Sequence, residues 1–121
     1  MSAPPQPAAR VSLRLDLATG GRIGPGKIAL LEAIARTGSI AAAARELGMS
    51  YPRALRLVEA LDEALATAAV TRAPGGQRGG GAVLTAAGLA LIARYREVEA
   101  AAQAAAGPLP AGAAGKGGTA G

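Results

Sequence analysis

The chain has no cysteine, histidine, phenylalanine or tryptophan, and its only aromatic residues are Tyr51 and Tyr95. Without Cys and His, the sequence excludes thiol chemistry, disulfides, most zinc sites, histidine general bases and Ser-His or Cys-His nucleophilic catalysis. The few carboxylates offer no acid pair convincingly spaced on a common surface, so no enzymatic activity, metal or cofactor is expected. The missing cysteines leave the redox compartment open. With no large aromatics beyond two tyrosines, the core must be built from Ala, Leu, Ile and Val. That composition suits close helix packing more than a large ligand cavity. It also gives limited stability per residue, which pairing of two copies would relieve. No uncharged apolar run reaches the roughly 18 residues of a membrane span, and the N-terminus lacks an apolar export region. No membrane partner is expected.

What is present is basic: 121 residues carry a formal charge of +5, and eleven of the thirteen cations are arginine. Such a balance favours a polyanionic partner. Residues 1–9 are Pro/Ala-rich and residues 107–121 are mostly Gly, Ala and Pro. Neither stretch has the apolar surface to offset its ordering entropy, so both are expected to be disordered tails. One domain over residues 10–106 remains.

VSLRLDL at 11–17 alternates with period two, as an edge strand does. Gly20-Gly21 and Gly24-Pro25-Gly26 end it. From Lys27 to Thr37, Ile28, Leu31, Ile34 and Ala35 recur at helical spacing, with Leu30 flanking and Gly38 as C-terminal cap. Ser39 is placed to cap a short helix through Leu47, and Ser50 a third helix to about Ala66, with Pro52 in its first turn. The buried stripe of that third helix is Ala54, Leu57, Val58, Leu61 and Leu65. Ala69–Arg72 and Ala82–Thr85 form two β-prone pieces joined by the glycine-rich APGGQRGGG at 73–81. Thr85 caps a last helix to about residue 106, with Leu89, Ile92, Tyr95 and Val98 along one side. The fold class that follows is mainly α with a small β wing: a winged helix-turn-helix with an N-terminal strand and a C-terminal dimerisation helix.

The two helices within 39–66 have helix-turn-helix spacing. Ala44 faces the second helix where a larger side chain would force the pair apart, and Gly48 can take the left-handed turn. Leu47, Met49 and Leu57 seal the angle. Arg53 and Arg56 project opposite the buried stripe, in the N-terminal half of the second helix, while Glu59, Asp62 and Glu63 lie in its C-terminal half. A helix entering the major groove leads with its N-terminal residues, where the helix dipole also favours anions. Ser50, Tyr51 and Arg53 can donate to phosphates or base edges, and arginine matches guanine best. The competing reading makes Arg53 and Arg56 a solvated face, paired with Glu59. Segment 66–85 adds Arg72 and Arg78 and no acid, with Arg78 in a glycine tip suited to close approach. A phosphate-binding P-loop is not indicated, because Gly-Lys-Ser/Thr is missing and these glycines lie between strands. The stripe on the last helix fits either core or a dimer interface.

TGSIAAAARELGMSY at 37–51 and GGQRGGGAVLTAAG at 75–88 resemble the N-terminal DNA-binding domain of ModE-type, molybdate-responsive regulators. AAAREL, the Ser-Xaa-Pro at 50–52 and LTAAG at 84–88 are more distantly similar to the LysR-type winged helix. The resemblance spans about residues 11–105. It implies a dimeric winged helix whose second helix-turn-helix helix reads double-stranded DNA. Ser39, Ser50, Tyr51, Arg53 and Arg56 would then contact DNA, with Arg78 in the wing. Leu55 stands where that family commonly has Trp, and Pro52 where a polar or basic residue is frequent.

No molybdate site is identified, because the chain runs into a Gly/Ala tail where full-length members continue into an oxyanion-binding domain. The expectation is a dimeric, sequence-specific transcriptional regulator without its own effector domain, located in the cytoplasm with the nucleoid. The alternative is a protein–protein adaptor that pairs with a full-length regulator and binds DNA weakly or not at all.

Overall fold

The structure is a computed structural model and describes residues 8–73 and 81–110. Its elements run β1 (Leu15–Asp16), β2 (Arg22–Ile23), α1 (Pro25–Thr37), α2 (Ile40–Leu47), α3 (Tyr51–Leu65), β3 (Val70–Arg72), β4 (Ala82–Leu84) and α4 (Ala86–Ala106). Four helices with a small antiparallel β3–β4 ladder make a winged helix-turn-helix, as expected.

α1 is the hub, touching α2, α3, α4, β2 and β4. That position changes its buried set. Ile28, Leu30, Leu31, Ala33 and Ile34 are all buried, while Ala35, expected in the stripe, is exposed. A helix contacted on several sides needs apolar residues around more of its circumference than a single stripe provides.

The 11–17 segment keeps its alternation of half-buried and exposed residues, but only Leu15 and Asp16 pair, with Ile23 and Arg22. Gly20, at φ 96°, turns the chain back on itself, and the Leu17 amide donates to Gly21 O at 2.8 Å. The glycine pair therefore makes a miniature hairpin instead of ending a longer edge strand. The turn rests on α3, where the Thr19 hydroxyl donates to Ala64 O at 2.9 Å. Ala64 is accordingly buried with Ala54, Val58 and Leu61, whereas Leu57 and Leu65 are only half buried.

Tyr95 departs from the expected stripe as well. It is the largest fully buried side chain, and its hydroxyl donates to Leu13 O at 2.6 Å. In a chain without Phe or Trp, the core takes this ring, so Tyr95 leaves the expected dimer stripe. Ile92 is half buried against the core, Val98 is half buried, and Leu89 is 55% exposed. The N-terminal segment is held along α4 from Ala9 onward. Gln103 donates to Ala9 O at 2.6 Å and accepts from the Val11 amide at 2.8 Å.

α3 ends on Ala66 in the left-handed conformation, φ 56°. The Thr67 amide donates to Asp62 O at 3.2 Å, which closes a Schellman turn. A β-carbon is unfavourable in that conformation, so Ala66→Gly is expected to raise the unfolding free energy by roughly 1 kcal/mol in chemical denaturation. Just beyond, the Asp62 carboxylate accepts from the Ala69 amide at 2.7 Å, tying the end of α3 to the base of β3.

Glu32 of α1 binds Arg96 of α4 through two hydrogen bonds, and these hold its carboxyl below the ordinary 4.5 despite partial burial. A carboxyl with a depressed native pKa adds stability above its unfolded value and loses it as pH falls through the native one. Acid titration is therefore expected to show stability falling below about pH 4.5, with a shallower fall in Arg96→Ala.

Candidate nucleic-acid interface

The site is assembled from local backbone chemistry. The Ser39 hydroxyl accepts from the Ala42 amide at 3.0 Å and starts α2. Gly48, at φ 71°, turns the chain out of α2, and the following Met49 amide reaches back to Ala44 O at 2.9 Å. Ala44 is buried at the helix crossing, with Leu47, Met49 and Leu57 half buried around it. The Ser50 hydroxyl then accepts from the Arg53 amide at 3.2 Å and starts α3. Pro52 sits between them at no cost, because Ser50 caps the amide beyond it. Both serine hydroxyls keep their own proton and can still donate outward.

The wing is fixed to this unit at its base. The Ala82 amide donates to Gly38 O at 2.9 Å, one residue before Ser39. Thr85 caps α4 by accepting from Gly88 at 3.1 Å, while its hydroxyl donates to Ala68 O at 2.7 Å and its amide to Ala69 O at 2.9 Å. Between wing and helices lies an open cleft of about 480 Å³, lined by Ser39, Ile40 and Ala41 of α2, Tyr51 of α3, Val70 to Ala73, and Gly81 and Ala82.

The structure thus brings Ser39 and Tyr51 to one concavity, with Ser50 and Arg53 at the adjoining start of α3 and Arg56 one turn along. Arg53 and Arg56 are both exposed. Among the described residues no ion pair involves Arg45, Arg53, Arg56 or Arg72, so the expected alternative of an Arg56–Glu59 pair is not formed. Arg72 joins the set through the cleft. The sequence showed its charge, but a three-residue strand is too short to show which way it faces. Arg45 is exposed near the end of α2, and only its charge marked it. Arg78 lies outside the described residues. Leu55, at the position of the family's common Trp, is half buried against the core, so it packs inward.

The profile described as "Bacterial regulatory helix-turn-helix protein, lysR family" matches residues 26–89, from the start of α1 to the first turn of α4. The chain belongs to that family. It is 58% identical over 82 residues to the molybdenum-pterin-binding protein MopB of Rhodobacter capsulatus, covering 68% of this chain and 30% of that protein. It is 39% identical over 87 residues to the DNA-binding transcriptional dual regulator ModE of Escherichia coli K12, covering 72% of this chain and 33% of that one. This LysR-family chain therefore spans about a third of the length of those relatives. Among solved structures, the CbnR DNA-binding domain in complex with DNA is similar at TM-score 0.53 and 31% identity, over 67% of this chain and 87% of that one.

Proposed function

We propose that this chain is a sequence-specific, double-stranded-DNA-binding transcriptional regulator that acts as a homodimer. One observation carries the reading: Arg53 and Arg56 stand exposed and outside any described ion pair on the N-terminal half of α3, beside a cleft shared by α2, α3 and the wing. Presented this way, α3 enters the major groove by its N-terminal end, with Arg53 and Arg56 toward base edges or flanking phosphates. Ser39, Ser50, Tyr51 and Arg72 border the strand that passes the cleft and donate to its phosphates. Arg78 is assigned to the same surface from sequence alone. The acids of α3, at 59, 62 and 63, lie at the end away from the groove. Kinship with ModE and the fold shared with a DNA-bound CbnR domain support the reading.

Pairing is assigned to α4, through Leu89 with the half-buried Ile92 and Val98 at its edge. The proposal is confined to DNA reading and pairing; the molybdenum-pterin of MopB is a property of that protein. Selection from a library of random duplexes by the full chain tests it. The expected result is a two-fold symmetric consensus with half-sites about one DNA turn, roughly 34 Å, apart. A pool that stays unenriched after repeated rounds contradicts it.

A further inference from the structure

Among the described residues, α4 is fastened to the rest of the fold at four places along its length. Near its start the bare Gly88 backbone lies against the Ala69 carbonyl. Two turns on, Tyr95 is hydrogen-bonded to Leu13. The next residue, Arg96, grips Glu32 through Nε at 3.0 Å and Nη2 at 2.7 Å, and its Nη1 holds Glu99 at 2.6 Å. Gln103 then bridges Ala9 and Val11. Among the described polar contacts, the Arg96–Glu32 pair alone joins α4 to α1. α1 in turn packs on both α2 and α3. Force passing from α4 to the helix-turn-helix therefore has a route through α1, beside the one from Gly88 through Ala69 to Asp62 of α3.

A forked guanidinium–carboxylate pair fixes direction as well as distance, because two parallel hydrogen bonds leave little freedom to pivot. The two side chains are 43% and 29% exposed, so water screens the pair and it adds little to stability. What distinguishes the contact is its geometric constraint. On the reading that two copies meet through α4, we propose that the Glu32–Arg96–Glu99 network sets the angle of α4 on α1, and with it the half-site separation that the dimer accepts. Arg96 is then a positioning residue for DNA specificity, remote from the DNA itself.

The lever is long enough to matter. At 21 residues α4 is about 30 Å long. A pivot of about 15° at Gly88 moves Val98, about 15 Å away at the end of the pairing stripe, by about 4 Å, more than the roughly 3.4 Å rise of one base step.

The test is the random-duplex selection, run on the full chain in three forms: unchanged, Arg96→Ala and Arg96→Lys. The unchanged chain is expected to enrich one half-site separation. Both variants are expected to enrich the same half-site motif at two or three adjacent separations, with thermal midpoints within a few degrees of the parent. Lysine keeps the charge and loses the fork, so it separates aiming from simple attraction. Either variant retaining the single parental separation overturns the proposal. Enrichment of lone half-sites by the unchanged chain instead overturns the pairing through α4 on which it rests, and this shows before any variant is examined.

Discussion

Gly88→Ala is expected to lower the unfolding free energy by about 3 kcal/mol, near the top of the range for forced overpacking. A β-carbon built at Gly88 falls 2.4 Å from Ala69 O, and the obstacle is backbone. Side-chain rearrangement cannot relieve the clash, so α4 must lift or the base of β3 must move. Either movement strains the Thr85 bonds to Ala68 and Ala69 and loosens the wing where it meets α4. For a domain of this size the loss corresponds to about 12–24 °C in thermal midpoint, a large share of the total stability. Gly26→Ala is the control. Gly26 sits in the first turn of α1 with nothing within 4 Å of the added carbon, and the same chemical change there is expected to stabilise by about 0.5 kcal/mol. Equal losses at the two positions in parallel melts would show that the close approach of α4 to the wing base is not what requires Gly88.

The largest effect on function is expected from Arg53→Ala combined with Arg56→Ala. Both side chains are exposed and without described ion-pair partners, and alanine is at least as good a helix former, so stability should change by no more than about 0.5 kcal/mol. Affinity for duplex DNA, in contrast, should fall on the order of 100-fold or more, since each such contact is worth about 1–3 kcal/mol. Salt titration separates the two modes of contact. A lost phosphate contact reduces the slope of log affinity against log salt by about 1, whereas a lost base contact relaxes sequence preference at one position. Parental affinity in the double variant, measured by fluorescence anisotropy, would remove α3 from the interface.

The helix-turn-helix was legible in the sequence because its determinants are local. Ser39, Gly48 and Ser50 each act within three or four residues, and the small Ala44 sits where the spacing puts the helix crossing. The β1–β2 hairpin was not legible, because two-residue strands leave no periodic signal and Gly20-Gly21 reads equally well as a terminator. Leu30 and Ala35 exchanged roles because α1 is surrounded, a fact set by the partners and not by its own sequence. Tyr95 moved from an interface to the core for a related reason: one face of α4 carries core contacts and exposed apolar groups side by side, and its pattern alone does not separate them. Asp62 looked like an acid kept away from phosphate, whereas its carboxylate holds the Ala69 amide across the turn into β3. In the site, the N-terminal end of α3 was readable and the wing base was not. Arg72 reaches the cleft only because Ala82 is pinned to the Gly38 carbonyl, a contact between residues 44 positions apart.

Backbone amide shifts, mapped while the full chain is titrated with a duplex of selected sequence, decide whether α3 and the wing base face DNA. Perturbations are expected to concentrate at Ile40 to Ala42, at Tyr51 and Arg53 to Arg56, and at Thr71 to Arg72, and to weaken together as salt is raised. Perturbations confined to α4 or to the β1–β2 turn, with those three segments silent, would contradict it.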